Sequence, residues 1–143
     1  MKVRIKNESR YGLPEFKHVG DAGCDLIANI ESPITLGSLD RVMVPTGVYI
    51  ALPNGYEAQI RPRSGLAAKH GISVTNTPGT IDSGYRNQIS VLLINLSKEP
   101  YTINPGDRIA QMVIAKHETA EWDEVEELDD TERGFDGFGS TGK

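Results

Sequence analysis

Short apolar or alternating runs, each closed by a turn signal, constrain this chain most. They are Val3 to Ile5, Leu26 to Ile30, Val42 to Val44, Val48 to Leu52, Tyr56 to Ile60, Ile72 to Val74, Ile89 to Leu96 and Ile109 to Ala115. Pro14, Pro33, Pro45, Pro53-Asn54-Gly55, Pro78-Gly79 and Pro105-Gly106 punctuate them. Runs this short and this regularly interrupted suit strands rather than helices, so the pattern predicts an all-β fold, a sandwich or jelly-roll-like barrel. One short helix is expected over Ser64 to Gly71, with Ser64 at the N-cap, good helix formers inside and Gly71 at the stop.

A chain of 143 residues fits one domain and can bury roughly 68–70% of its unfolded surface, so no disulfide or metal is needed to hold it. Its one cysteine, Cys24, reads as a small core residue. The net charge of −5 and pI near 5.2 argue against general nucleic-acid binding, which depends on cations at the phosphates. Nine carboxylates lie between Glu118 and Glu132, whereas Arg61, Arg63, Lys69 and Arg86 gather mid-chain, where a local anion site is possible. No secretory leader or membrane span is read from the pattern, which makes a reducing, cytoplasmic setting the expectation. The triplets Asn7-Glu8-Ser9 and Asn95-Leu96-Ser97 then read as coincidental glycosylation patterns.

Several segments carry chemistry. N-T-P-G-T-I-D-S-G-Y, residues 76 to 85, sets the carboxylate of Asp82 at the tip of an expected β-hairpin, where it can serve as a general base. Arg61-Pro62-Arg63-Ser64-Gly65 puts two guanidinium groups just before the expected helix start, either as a phosphate cradle or as solvated charges beside a helix cap. Gln111 interrupts the apolar run after Asp107-Arg108 and needs partners, whether a core network or a ligand. Asp25 lies inside a strand-like run, which is costly unless a cation is near. His18, His70 and His117 have no metal-ligand spacing.

Taken in order, A-G-C-D-L at 22 to 26, P-R-S-G-L-A-A-K-H-G at 62 to 71, N-T-P-G-T-I-D-S-G-Y-R at 76 to 86, G-D-R-I-A-Q at 106 to 111 and R-G-F-D-G-F-G-S-T-G at 133 to 142 resemble the trimeric deoxyuridine triphosphatase (dUTPase) family. The resemblance implies a homotrimer of jelly-roll-like barrels. Residues 1–132 would form the barrel domain, and residues 133–143 a flexible glycine-rich arm that closes over the active site. It implies hydrolysis of dUTP to dUMP and pyrophosphate by water attack at the α-phosphate, assisted by Mg²⁺.

The same resemblance assigns roles. Asp82 would activate the water, and Tyr85 would stack under the deoxyribose. Asn76 and the backbone from Gly79 through Thr80 and Ile81 to Tyr85 would read the uracil edge. Arg63, Ser64, Gly65 and Gln111 would hold the phosphates, and Asp25 would reach Mg²⁺ through water. From the arm, Arg133 would meet the γ-phosphate and Phe138 would cover the uracil. Asn87 and Asp136 depart from the family pattern, each standing where glycine is usual, and Asp136 sets a negative charge beside the triphosphate. The competing readings are a dCTP deaminase-like enzyme of the same fold, for which the 76 to 89 segment lacks a suitable Glu, and a non-catalytic nucleotide-binding regulator.

Overall fold

A computed structural model describes residues 1–135 and Gly137. Eleven strands and one helix follow in the order β1 (Arg4–Asn7), β2 (Gly23–Ile27), β3 (Ile34–Leu36), β4 (Arg41–Pro45), β5 (Val48–Ala51), β6 (Tyr56–Arg61), α1 (Ser64–His70), β7 (Ile72–Val74), β8 (Gly79–Ile81), β9 (Ser90–Asn95), β10 (Tyr101–Ile103) and β11 (Arg108–Lys116). All pairings are antiparallel and fall into four sheets: β1 with β5, β10 with β3, β2-β11-β6-β8 and β4-β9-β7. The all-β expectation holds, but the described residues form separate sheets rather than one closed barrel.

Alternation explains the packing. In β2, Cys24 and Leu26 are buried while Gly23, Asp25 and Ile27 are half-buried, so one face goes to the core and the other carries polar groups. The core is built from such inward positions, among them Leu26, Val44, Ile60, Ile72, Val91, Leu93 and Ile103. Each fully buried Val, Leu or Ile contributes about 1.5–3 kcal/mol.

Two expectations need correction. Strands β8 and β9 do not pair with each other: β8 lies on β6, and β9 lies between β4 and β7. Residues 82–89 are therefore a crossover between sheets rather than the tip of a hairpin. Secondly, Ser64 does not cap α1. The N-cap is Arg63, with no side-chain cap, and Ser64 is the first helical residue. Gly71 does end the helix, in the left-handed conformation at φ 66°.

The two Asn-x-Ser triplets turn out to be one structural device used twice. Asn95 is fully buried; its Nδ2 donates to the Glu99 carbonyl at 2.8 Å, and its Oδ1 accepts from the Ser97 N–H and hydroxyl at 2.9 and 2.8 Å. Asn7 repeats the pattern, donating to the Tyr11 carbonyl at 2.7 Å and accepting from the Ser9 N–H and hydroxyl at 3.0 and 2.7 Å. The residue between Asn and Ser donates its N–H to a glycine carbonyl in each case, Glu8 to Gly47 at 2.8 Å and Leu96 to Gly71 at 2.9 Å.

Candidate functional site

The polar face of the four-stranded sheet carries the site. Gln111 in β11 is the register partner of Asp25 in β2 on one side and of Arg61 in β6 on the other, so three polar side chains stand in one row. Gly23 keeps the row open, since a Cβ there would lie 2.8 Å from Gln111 Oε1. The Gln111 amide donates to the Pro62 carbonyl at 2.9 Å and so ties the row to the segment that enters α1.

Arg63 folds back from that segment onto the row. Its Nε donates to Asp25 Oδ1 at 3.0 Å and its Nη1 to the Arg108 carbonyl at 3.1 Å. The Arg108 Nη1 donates to Asp25 Oδ2 at 3.0 Å, so each oxygen of one carboxylate holds a guanidinium. Arg63 spends two of its five N–H groups this way and keeps three for a ligand. A polar cavity of about 340 Å³ opens beside the cluster, lined by Glu15, Lys17, Asp21, Asp25, Arg61 and Gln111 among others.

Arg108 is the site residue that sequence reasoning missed. In an uninterrupted strand, residues 108 and 111 would point to opposite faces. The register shifts between Arg108 and Ala110, and the adjacent pair Ile109 and Ala110 are both buried, so alternation is reset and Arg108 joins Gln111 on the polar side. Behind this face, Cys24 is buried against Met112, its thiol 3.6 Å from the Met112 carbonyl. Burial pushes the Cys24 thiol up, and the charge of Asp25 adds to that in a smaller way.

Asp82 and Tyr85 lie elsewhere. Ile81 pairs with Ala58, three positions back along β6 from Arg61, which puts the end of β8 about 10 Å from the Arg61 end of that strand. Asp82 is exposed and begins a turn in which its carbonyl accepts from the Tyr85 N–H at 3.1 Å. The Tyr85 hydroxyl donates to the Gln88 carbonyl at 3.1 Å, and Arg86 Nη1 donates to the Ser83 and Tyr85 carbonyls at 2.6 and 2.8 Å, so the crossover is held by its own hydrogen bonds. Asn76 packs beside Gly79, where a Cβ would lie 3.2 Å from the Asn76 amide nitrogen, and Thr80 follows as an exposed strand residue. Ser64 and Gly65 are exposed at the start of α1. Arg133 is exposed in a turn where the Gly134 N–H meets the Thr131 carbonyl at 3.0 Å. Phe138 and Asp136 lie outside the described residues.

One chain thus brings together Asp25, Arg63, Arg108 and Gln111, and leaves Asp82 with Tyr85 on the crossover that follows β8. The donor set also limits what metal the chain can hold. Among the described residues no three His, Cys, Asp or Glu side chains gather as a metal cluster. Asp25 alone, paired with two guanidiniums, fits a cation that keeps its water shell and takes other ligands from phosphate, as Mg²⁺ does. Among the described residues no helix is long and apolar enough to cross a membrane.

Comparison with known proteins identifies the family. The dUTPase family profile matches residues 10–142. A deoxyuridine 5'-triphosphate nucleotidohydrolase of Fusobacterium nucleatum is 55% identical over 143 residues, covering 100% of this chain and 98% of the relative. Its counterpart in Cytophaga hutchinsonii is 58% identical over 141 residues, covering 99% and 92%. Among solved structures, a dUTPase of Staphylococcus bacteriophage 80alpha with dUpNHpp superposes with a TM-score of 0.89 at 27% identity, over 99% of both chains. A dUTPase of the S. aureus phage phi11, described as coordinating a structural Mg(II) ion, gives 0.80 at 25% identity, over 91% of this chain and 100% of that one. With the family profile over nearly the whole chain and relatives 55% and 58% identical, the chain belongs to the dUTPase family.

Proposed function

We propose that the protein hydrolyses dUTP to dUMP and pyrophosphate, limiting uracil in DNA and supplying dUMP. What supports this most is the row Asp25, Gln111 and Arg61 with Arg63 folded over it, an anion-binding arrangement on a chain of the dUTPase family. Arg63 offers its three remaining N–H groups to the phosphates, with Ser64, Gly65 and Gln111 beside it. Asp82 takes a proton from water as the water oxygen attacks the α-phosphorus. The bond from that phosphorus to the α,β-bridging oxygen breaks, and pyrophosphate leaves with the electron pair. Tyr85 stacks under the deoxyribose, while Asn76 and the backbone of Gly79, Thr80 and Ile81 read the uracil edge.

Mg²⁺ bound to the triphosphate through its oxygens would neutralise charge on the leaving group, with Asp25 reaching it through water. Residues 133–143 act as the arm, Arg133 at the γ-phosphate and Phe138 over the base, and exclude water while closed. Because one chain keeps the phosphate cluster and Asp82 apart, we assign the site to a homotrimer in which neighbouring chains complete each centre. The deaminase-like and non-catalytic alternatives have no observation in their favour. Hydrolysis of dUTP in ¹⁸O-water tests the reading: label is expected in dUMP, and label in pyrophosphate alone would refute attack at the α-phosphorus.

A further inference from the structure

The pairing of Asp25 with two guanidiniums has a consequence for ligand binding. The three side chains carry −1, +1 and +1, a net +1 within the cluster; of the three, Asp25 lines the cavity beside Gln111, which Glu15, Lys17, Asp21 and Arg61 also line. Their ion pairs are not needed to close the core: the side chains of Arg63 and Arg108 are 25% and 47% exposed, and that of Asp25 is 20% exposed. Asp25 also borders three separate cavities, one towards Ser9 and Tyr11, one towards Lys17 and Arg61, and one towards Leu13 and Arg108. A phosphate taken by Arg63 must therefore sit close to a carboxylate it repels, and that carboxylate lies at a cavity wall rather than behind apolar side chains.

We propose that Asp25 is a counter-charge that makes the affinity of this site for a triphosphate depend on the divalent cation. Without the cation, Asp25 cancels part of the field of Arg63 and Arg108 and opposes the phosphates. With it, the carboxylate faces the cation's water shell, and repulsion becomes attraction. This rests on the phosphate-binding reading of Arg63 given above. It differs from a ligand role alone because it assigns Asp25 an effect in the absence of metal. It differs from a strut role because it fixes the sign of that effect.

The test is calorimetric binding of dUpNHpp at low salt, in EDTA and again in Mg²⁺, to the wild type, Asp25→Asn, Arg108→Gln and the double variant. Net charge of the trio is then +1, +2, 0 and +1. In EDTA, Asp25→Asn should bind about 2- to 5-fold tighter than wild type and Arg108→Gln weaker by a similar factor, the range of partly exposed charge pairs. The double variant should return near the wild type. Addition of Mg²⁺ should improve Asp25→Asn less than any protein that keeps the carboxylate. Unchanged affinity of Asp25→Asn in EDTA would reduce Asp25 to a metal ligand, and weaker affinity would make it a strut for Arg63; either overturns the proposal. Failure of the reading it rests on looks different, since Arg63→Gln would then bind dUpNHpp as well as wild type in both solutions. Should Asp25→Asn fold poorly, Asp25→Ser, which also removes the carboxylate, decides by the same expected gain in EDTA.

Discussion

Asp82, the proposed general base, has little holding it in place. It is an exposed carboxylate at the start of a turn, and its position depends on β8 lying against β6 rather than on contacts of the side chain itself. Replacing it with Asn keeps shape and hydrogen-bonding capacity but removes the proton acceptor. Asp82→Asn should therefore bind dUpNHpp about as well as wild type while turnover falls by about 10²–10⁴-fold. Stopped-flow single-turnover measurement checks this, and a proportional loss of affinity and rate would instead mean that Asp82 mainly binds substrate. Gln111 behaves differently, because its amide already anchors Pro62 and thereby the approach of Arg63. The need of Gln111 for partners was evident from the residues, but which partner it takes depends on a register that no single segment reveals.

At the scale of elements, Ile72–Val74 is a strand with the bounds the apolar pattern predicts, and β6 and β11 differ by a residue or so at their ends. Strands β3 and β10 were not legible: each has three residues, too few for a periodic signal, and each pairs with the other far away in sequence. The crossover at 82–89 looked like a hairpin because its Gly-rich turn chemistry is the same whether the next strand returns or leaves for another sheet. Asn95-Leu96-Ser97 shows the same limit, since a glycosylation-like triplet and a buried turn clasp share one spelling. Removing the clasp leaves carbonyls and N–H groups without partners in the core. Asn95→Ala should destabilise the fold by roughly 2–4 kcal/mol and Asn7→Ala, in its part-buried copy, by less, as read from urea unfolding. Equal effects would mean that burial does not decide the value of the clasp. The C-terminal segment calls for the opposite outcome. Removal of residues 133–143 should leave the melting temperature within a few degrees of wild type and reduce turnover by at least about tenfold. A truncated protein with full kcat would make these residues dispensable to the reaction.

For the whole molecule, separation of the cluster of Asp25, Arg63 and Arg108 from Asp82 leads to a prediction about assembly. Light scattering should give three times the chain mass. Mixed assemblies of Asp82→Asn chains with Arg133→Ala chains should regain a measurable fraction of wild-type activity, although each parent is nearly inactive. A fully active monomer, or mixtures no better than their parents, would place every site within one chain. The order of the strands also bears on how the protein is made. Strand β2 takes its partner from β11, about 80 positions later, so Leu26 and Cys24 leave the ribosome long before Ala110 and Met112 can cover them. At 5–20 residues per second the wait is about 4–16 s. During those seconds Asp25 has no Arg108 to hold, and the polar row of Asp25, Gln111 and Arg61 cannot form. Stalled nascent chains ending before residue 108 should accordingly be cut by protease within residues 23–27, and protection should appear only once β11 has emerged.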